Sequence, residues 1–326
     1  MKRILSGAQP TGNVHLGNYL GALRNWVALQ AEYDSFYCIV NLHAITVPQN
    51  PKQLAAQTRD LARIYLAAGV DPQVATIFVQ SDVPEHAELA WALGGVARMS
   101  ELERMTQFKD KAKKQQANTT VGLFTYPILM AADILLYQAD LVPVGDDQKQ
   151  HLELTRDLAE RFNRDYGATF RIPDPYIPKV GARIMSLSDP AKKMSKSDEN
   201  PNGCIMLLDP PEVVLKKFKR AVTDSGSDIR FDETRPGLFN LLTIYQIMTN
   251  QTPEAIEIHF NGKGYGHLKV ELAEITNEFL RPLQERINGI SDGELDGILA
   301  HGRDHARTVA RETLTQAYAN MGLKGA

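Results

Sequence analysis

Two lysines three residues apart, in Lys193-Met194-Ser195-Lys196-Ser197, are the strongest chemical feature of this chain, in a segment bounded by Pro190, Asp198, Asn200 and Pro201. A lysine ammonium on a long stem can follow a polyphosphate as charge moves during reaction, and small serines let backbone N–H groups approach the same anion. By itself such a segment more often reads as a solvated basic loop. A second stretch, far upstream, points to the same ligand: Ser6-Gly7-Ala8-Gln9-Pro10-Thr11-Gly12-Asn13-Val14-His15-Leu16-Gly17-Asn18. Ile4-Leu5 reads as the end of a strand, Gly7, Pro10 and Gly12 break it, and a helical pattern runs from Leu16 to Leu29. A strand, a glycine-rich turn and a helix N-terminus in succession favour a bound phosphate, although an ordinary capped helix gives the same pattern.

Two further groups have the chemistry of a pocket. Tyr126, Met130 and Asp133 fall at helical spacing, so their side chains can share one face. An indole N–H donates and accepts nothing, so a carboxylate beside an apolar, polarizable methionine would suit an indole ring. Spacing alone favours a blander reading, in which Asp133 pairs with an arginine or a backbone N–H. Gly145-Asp146-Asp147-Gln148 follows a short apolar run, Leu141 to Val144, and offers acceptors for ribose hydroxyls or an ammonium group. Asp146, Asp147 and His151 could also be read as metal ligands. Gln148-Lys149-Gln150 reads instead as the start of a capped helix, and no protein-bound metal is expected. His43 and His151 read as structural or pocket-lining residues rather than general bases.

The elements that must position these residues alternate. Phe36 to Val40, Thr76 to Gln80 and Leu141 to Val144 are short, buried-type strands, separated by helix-length segments such as Pro51–Ala68 and Glu85–Met99. This is the βαβ rhythm of a parallel sheet, whose ligands sit at the carboxyl ends of the strands; the Gly7, Asn41, Gln80 and Gly145 regions all follow such ends. From Pro210 onward the pattern is helical, with Asn240–Thr249, Pro253–Phe260, Leu268–Ile287 and a last helix from about Asp304 to Met321. The expected fold class is α/β: a Rossmann-like parallel-sheet catalytic domain over 1–205, a smaller all-α domain over 206–300, and a C-terminal helix in 301–326 that packs back on the first domain.

Composition excludes several classes. With 326 residues and 43% hydrophobic content the chain can bury a large core. A net charge of −3 is wrong for a general polyanion binder, and no DNA partner is expected. The basic run Lys216-Lys217-Phe218-Lys219-Arg220 reads as the solvated face of a helix. The longest apolar stretch, Ile128 to Tyr137, is short and interrupted by Asp133, so no membrane span is expected. Cys38 and Cys204 lack metal spacing, which fits free thiols in a reducing, cytoplasmic setting.

Taken together, the two phosphate-seeking segments resemble the paired HIGH and KMSKS signatures of class I aminoacyl-tRNA synthetases. The second match is letter for letter, and the first keeps a His-x-Gly core in His15-Leu16-Gly17-Asn18. Within that class the chain is similar over nearly its whole length to the tryptophanyl members, through Asn41-Leu42-His43-Ala44-Ile45-Thr46, Arg104 to Lys111, Tyr126 to Leu135 and Val144 to His151. The resemblance reverses the reading of Asp133: it implies a tryptophan site of Asp133, Tyr126, Met130, Gln148, His43, Val142 and Val144. It further implies an ATP site of Gln9, Pro10, Thr11, Gly17, Asn18, Gly145, Asp146, Asp147, Ile184, Lys193, Met194, Ser195, Lys196 and Ser197. Lys111, Lys193 and Lys196 would neutralise the triphosphate. The activity so implied is two-step ligation of L-tryptophan to tRNA(Trp) with ATP and its accompanying Mg2+, by a homodimer. The helical domain would read the anticodon. Asn13-Val14-His15 is more polar than usual for the family, and Asn41 stands where Asp is common. A tyrosyl-tRNA synthetase, a small-molecule nucleotidylyltransferase and a noncatalytic tryptophan- or tRNA-binding paralogue are the alternatives.

Overall fold

The computed structural model describes residues 1–12, 14–115, 119–145, 148–176, 184–195 and 200–323. Five strands, β1 (Arg3–Ala8), β2 (Asp34–Ile39), β3 (Ala75–Val79), β4 (Leu141–Pro143) and β5 (Asp174–Tyr176), form one sheet in the order β3-β2-β1-β4-β5. Every pairing is parallel, with Leu5 opposite Phe36, Phe36 opposite Thr76 and Ile4 opposite Leu141. β2 and β3 are buried almost throughout because both sheet faces are covered, which is why their sequences read as continuous apolar runs.

Helices fill the connections: α1 (Leu16–Asn18), α2 (Arg24–Leu29), α3 (Asn41–Ala44), α4 (Pro51–Ala68), α5 (Glu85–Gly94), α6 (Met99–Glu103), α7 (Thr106–Gln115), α8 (Val121–Leu136) and α9 (Lys149–Tyr166). Past the sheet come α10 (Pro211–Arg220), α11 (Pro236–Thr249), α12 (Pro253–His259), α13 (Tyr265–Gly289) and α14 (Asp292–Asn320). Local chemistry sets their ends. In α4, Asn50 accepts the Gln53 N–H, Pro51 opens the first turn, and Gly69 closes the helix in the left-handed region at φ 106°.

Alternation along the strands splits the core in two. Leu5, Phe36, Cys38 and Phe78 face a cluster with α5, α8, α9 and α14, whereas Tyr37, Ile39, Ile77 and Val79 face a cluster that continues into α10, α11 and α13. α14 then crosses β3, an edge strand. His305 Nδ1 lies 2.8 Å from Thr76 Oγ1, and Arg307 and Arg311 both donate to Glu85 Oε1, at 3.1 and 3.0 Å.

Several expectations need correction. The helical pattern from Leu16 to Leu29 contains a five-residue π-helical stretch, Tyr19–Leu23, which a 3.6-residue periodicity cannot register. The segment expected as one helix to Met99 stops at Gly94-Gly95 and resumes at Met99, because two successive glycines weaken the helix there. β5 went unpredicted because Asp174-Pro175-Tyr176 is short and contains proline, which is tolerated on an edge strand. α14 begins at Asp292, well before Asp304, where Ser291 accepts the Glu294 N–H. The basic run ends α10, but Lys217 is buried and donates to Asp209 at 2.6 Å, so only Lys216, Lys219 and Arg220 are exposed.

Candidate active site

A cavity of about 310 Å³ opens at the carboxyl ends of β1, β2 and β4, at the small end of the ~300–1,000 Å³ typical of ligand sites. Strand residues Leu5, Gly7, Cys38 and Val142 line it, and α8 contributes Tyr126, Met130, Asp133 and Ile134. α8 is apolar around nearly its whole circumference, as a helix inside a core must be. Asp133 is the exception, 4% exposed, so its charge needs partners from other elements.

Three side chains supply them. Gln80, at the end of β3, donates Nε2–H to Asp133 Oδ1 at 2.6 Å, while its own Oε1 accepts the Leu42 N–H at 3.0 Å and so sets which way the amide points. His86 Nδ1 lies 2.6 Å from the same oxygen, and His86 Nε2 lies 2.8 Å from Tyr137 Oη. His43 Nε2 is 2.7 Å from Asp133 Oδ2. Burial alone would push the Asp133 carboxyl up, but the facing His43 and His86 rings outweigh it and hold the group below the ordinary carboxylate range. The carboxylate is therefore an acceptor, and it pairs with two histidines and a glutamine rather than with an arginine or a backbone N–H. Of its four lone-pair positions, the two on Oδ1 and one on Oδ2 are taken among the described residues. Asp133 and His43 line the cavity, whereas Gln80 and His86 stand behind it.

Across the cavity, Tyr126 Oη is 2.6 Å from His151 Nε2, and burial pushes the phenol up to about 12, so it acts as a neutral hydroxyl. Gln148 precedes α9 without capping it through its side chain, which lines the cavity instead. The helix starts where the sequence predicts it, at Lys149, but without a side-chain cap.

Beside the cavity, backbone hydrogen bonds gather three distant stretches. Leu16 N–H donates to Ile205 O at 2.8 Å, Leu207 N–H to Val14 O at 2.9 Å, and Met194 N–H to Ile184 O at 2.9 Å. His15 and Asn18 cap each other at the start of α1, with His15 Nδ1 accepting the Asn18 N–H and Asn18 Oδ1 accepting the His15 N–H. Gly17 fits against this pair: a Cβ there would stand 3.1 Å from His15 Nδ1 and 3.5 Å from Met194 Cβ. Asn240 of α11 brackets Met185, donating to its carbonyl and accepting its N–H, both at 2.9 Å. Ile184 and Met194 are thus buried anchors, and the Lys193 side chain between them and solvent is exposed.

Comparison with known proteins decides what this arrangement belongs to. The sequence profile described as tRNA synthetases class I (W and Y) matches residues 1–281. The chain belongs to the class I tRNA synthetases (W and Y). It is 57% identical over 324 residues to the tryptophan-tRNA ligase of Wolinella succinogenes, covering 99% of both chains. Among solved structures, it is similar to tryptophanyl-tRNA synthetase from Mycoplasma pneumoniae, with a TM-score of 0.90 at 44% identity, covering 99% of this chain and 98% of that one. It is similar also to the Campylobacter jejuni enzyme complexed with ADP and tryptophan, with a TM-score of 0.88 at 34% identity, covering 98% and 100%.

In this class I synthetase the fold brings His43, Tyr126, Met130, Asp133, Val142, Val144 and Gln148 to one cavity, and Gln9 joins them on its lining. Gly17, Asn18, Ile184, Lys193 and Met194 meet in the second cluster; Pro10 is buried, Thr11 and Ser195 are half-buried and Gly145 is exposed. Lys111 lies on α7 one turn beyond Gln107, a cavity residue; its side chain lies outside the described residues, as do Asn13, Asp146, Asp147, Lys196 and Ser197. Sequence reasoning missed Gln80 as a ligand of Asp133, and it missed His86, Gln107 and Cys38. Gln80 had one available signal, its place at a strand end; His86 had none, because its partner is distant in sequence.

Proposed function

We propose that this class I synthetase joins L-tryptophan to tRNA(Trp) in two steps, using ATP. A tryptophan carboxylate oxygen attacks the α-phosphorus, the bond from that phosphorus to the oxygen bridging to the β-phosphate breaks, and pyrophosphate leaves with the electron pair. A ribose hydroxyl at the tRNA terminus then attacks the acyl carbon, and AMP departs. No protein nucleophile is needed; catalysis rests on positioning and charge stabilisation. The observation that carries the reading is the remaining acceptor position of Asp133 Oδ2 on a cavity of small-ligand size, which suits an indole N–H. Apolar contacts alone would discriminate by only about 1–3 kcal/mol per methylene-sized difference, whereas a buried acceptor left unpaired penalises phenylalanine further.

Gln9, Pro10, Thr11, Gly17, Asn18, Ile184, Met194 and Ser195 are assigned to ATP, with Gly145, Asp146, Asp147 and Ser197. Lys111, Lys193 and Lys196 are assigned to the triphosphate, which arrives with its own Mg2+ as part of the substrate. The anchoring of Ile184 and Met194 beside Gly17 supports this, since it leaves the intervening lysine free to reach the site. Exposed large apolar residues support a homodimer, among them Trp91 at 85%, Val121 at 78%, Met99 at 64% and Ile45 at 60%. Two free, buried cysteines, Cys38 and Cys204, support a cytoplasmic setting. No helix of the described residues is long and apolar enough to cross a membrane.

Amino-acid-dependent ATP-pyrophosphate exchange with the purified chain, run with tryptophan, tyrosine, phenylalanine and none, tests the first step. Exchange with tryptophan alone is expected, followed by charging of tRNA(Trp); exchange with tyrosine would overturn the pocket assignment.

A further inference from the structure

We infer that His86, locked by Tyr137, is a positioning residue for amino-acid selection: with Gln80 it pins Asp133 Oδ1 from behind so that Oδ2 alone is presented to the bound side chain. The inference rests on the reading of Asp133 as the acceptor for an indole N–H and extends it to residues that never meet the ligand.

The geometry separates the two oxygens. Both partners of Oδ1, Gln80 and His86, are fully buried and absent from the cavity lining, while the partner of Oδ2, His43, is part of that lining. Two donors on Oδ1 fill its lone pairs and fix both the position and the rotation of the carboxylate plane. With Oδ1 unpinned, the group could turn about its terminal torsion, which is broad and roughly two-fold, and the acceptor would no longer be held toward the cavity.

The carboxylate fixes the direction of the first bond, and the neutral imidazole sets the second. An ionised carboxylate only accepts, so His86 carries a hydrogen on Nδ1; in the neutral imidazole Nε2 is then a lone pair that receives one. Tyr137 supplies it, being fully buried 2.8 Å away and held as a neutral phenol by that burial. The chain of donors runs Tyr137 Oη–H to His86 Nε2, then His86 Nδ1–H to Asp133 Oδ1. This is the second-layer logic by which a hydrogen bond on one imidazole nitrogen decides what the other does. Stacking of His86 on Phe78, with centroids 6.0 Å apart, holds the ring in that plane.

The test uses pyrophosphate exchange with tryptophan and with its benzothiophene analogue, which replaces the ring N–H by sulfur. His86→Phe keeps an aromatic ring but removes the donor, and it is expected to raise KM for tryptophan by roughly 10- to 100-fold with a smaller change in kcat. KM for the analogue, which never uses the acceptor, is expected to move by less than about 3-fold. His86→Asn places an amide N–H near the Nδ1 position and is expected to recover most of the tryptophan preference. Tyr137→Phe should lose an intermediate share, because Nε2 then lacks its donor. Thermal melts accompany each variant, and the ratio of the two KM values is read within one preparation, so partial unfolding cancels. Equal rises for tryptophan and the analogue in His86→Phe, without recovery in His86→Asn, would overturn the inference and leave His86 a packing residue. Asp133→Asn run in parallel separates the two levels. If it leaves the preference for tryptophan intact, the Asp133 reading fails and the inference with it; if it abolishes the preference while His86→Phe does not, the inference alone fails.

Discussion

Gly302 of α14 lies directly on the backbone of Ile77 in β3: a Cβ at Gly302 would fall 1.8 Å from the Ile77 carbonyl oxygen. Only a residue without a side chain lets the last helix close over the exposed edge of the sheet, which would otherwise present unpaired backbone groups to other chains. Gly302→Ala is expected to lower unfolding free energy by at least about 1–3 kcal/mol in urea titration, since helix or strand must shift to admit the methyl group. Unchanged stability would show that α14 rides loosely on the edge.

Lys193 is exposed, and the described cavity lining does not include it, while its neighbour Met194 is 2% exposed and anchored. Lys193→Ala should therefore leave the fold and the KM for tryptophan nearly unchanged and lower the exchange kcat by about 10²- to 10³-fold, the usual cost of removing one donor to a developing anion. A defect confined to the KM for tryptophan would contradict the triphosphate assignment.

Asp133 is held below its ordinary value of 3.8 in the folded protein. A depressed folded pKa means that the ionised pairings stabilise the fold fully above the unfolded value and cease to do so as pH falls from there through the folded value. The stability advantage of the wild type over Asp133→Asn should persist down to about pH 5 and narrow only below about pH 4. Denaturant titrations across that range check it; a gap that closes between pH 7 and 5 would place the effect on a different group.

Glu85 is 3% exposed and its Oε1 accepts from both Arg307 and Arg311, whereas those side chains are 39% and 65% exposed. The two ends of this ion pair are not equivalent. Removing both arginines strands a buried carboxylate, while replacing the carboxylate returns two arginines to water. Arg307→Ala combined with Arg311→Ala is expected to destabilise more than Glu85→Gln, by about 1–2 kcal/mol after allowing for solvent screening of the exposed partners. Thermal melts of both variants decide it, and equal losses would mean that packing outweighs the charge.

Local and periodic features were legible from the chain alone. Gly and Pro after Ile4-Leu5, the βαβ spacing and the letter-for-letter Lys193 to Ser197 signature announce a parallel sheet with ligands at its carboxyl edge, because strand, turn and helix preferences act over a few neighbouring residues. Helical spacing likewise placed Tyr126, Met130 and Asp133 on one element. What only tertiary structure decided was who meets whom. Asp133 is held by residues from the end of β3, from α3 and from α5, and nothing in the neighbourhood of Gln80 or His86 announces a carboxylate. Pairing of Leu16 with Ile205, bracketing of Met185 by Asn240, and the contact of Gly302 with Ile77 are equally long-range. A buried charge has to be satisfied by whatever the folded chain brings within hydrogen-bond reach, and that reach is set by sheet order and helix packing rather than by sequence separation.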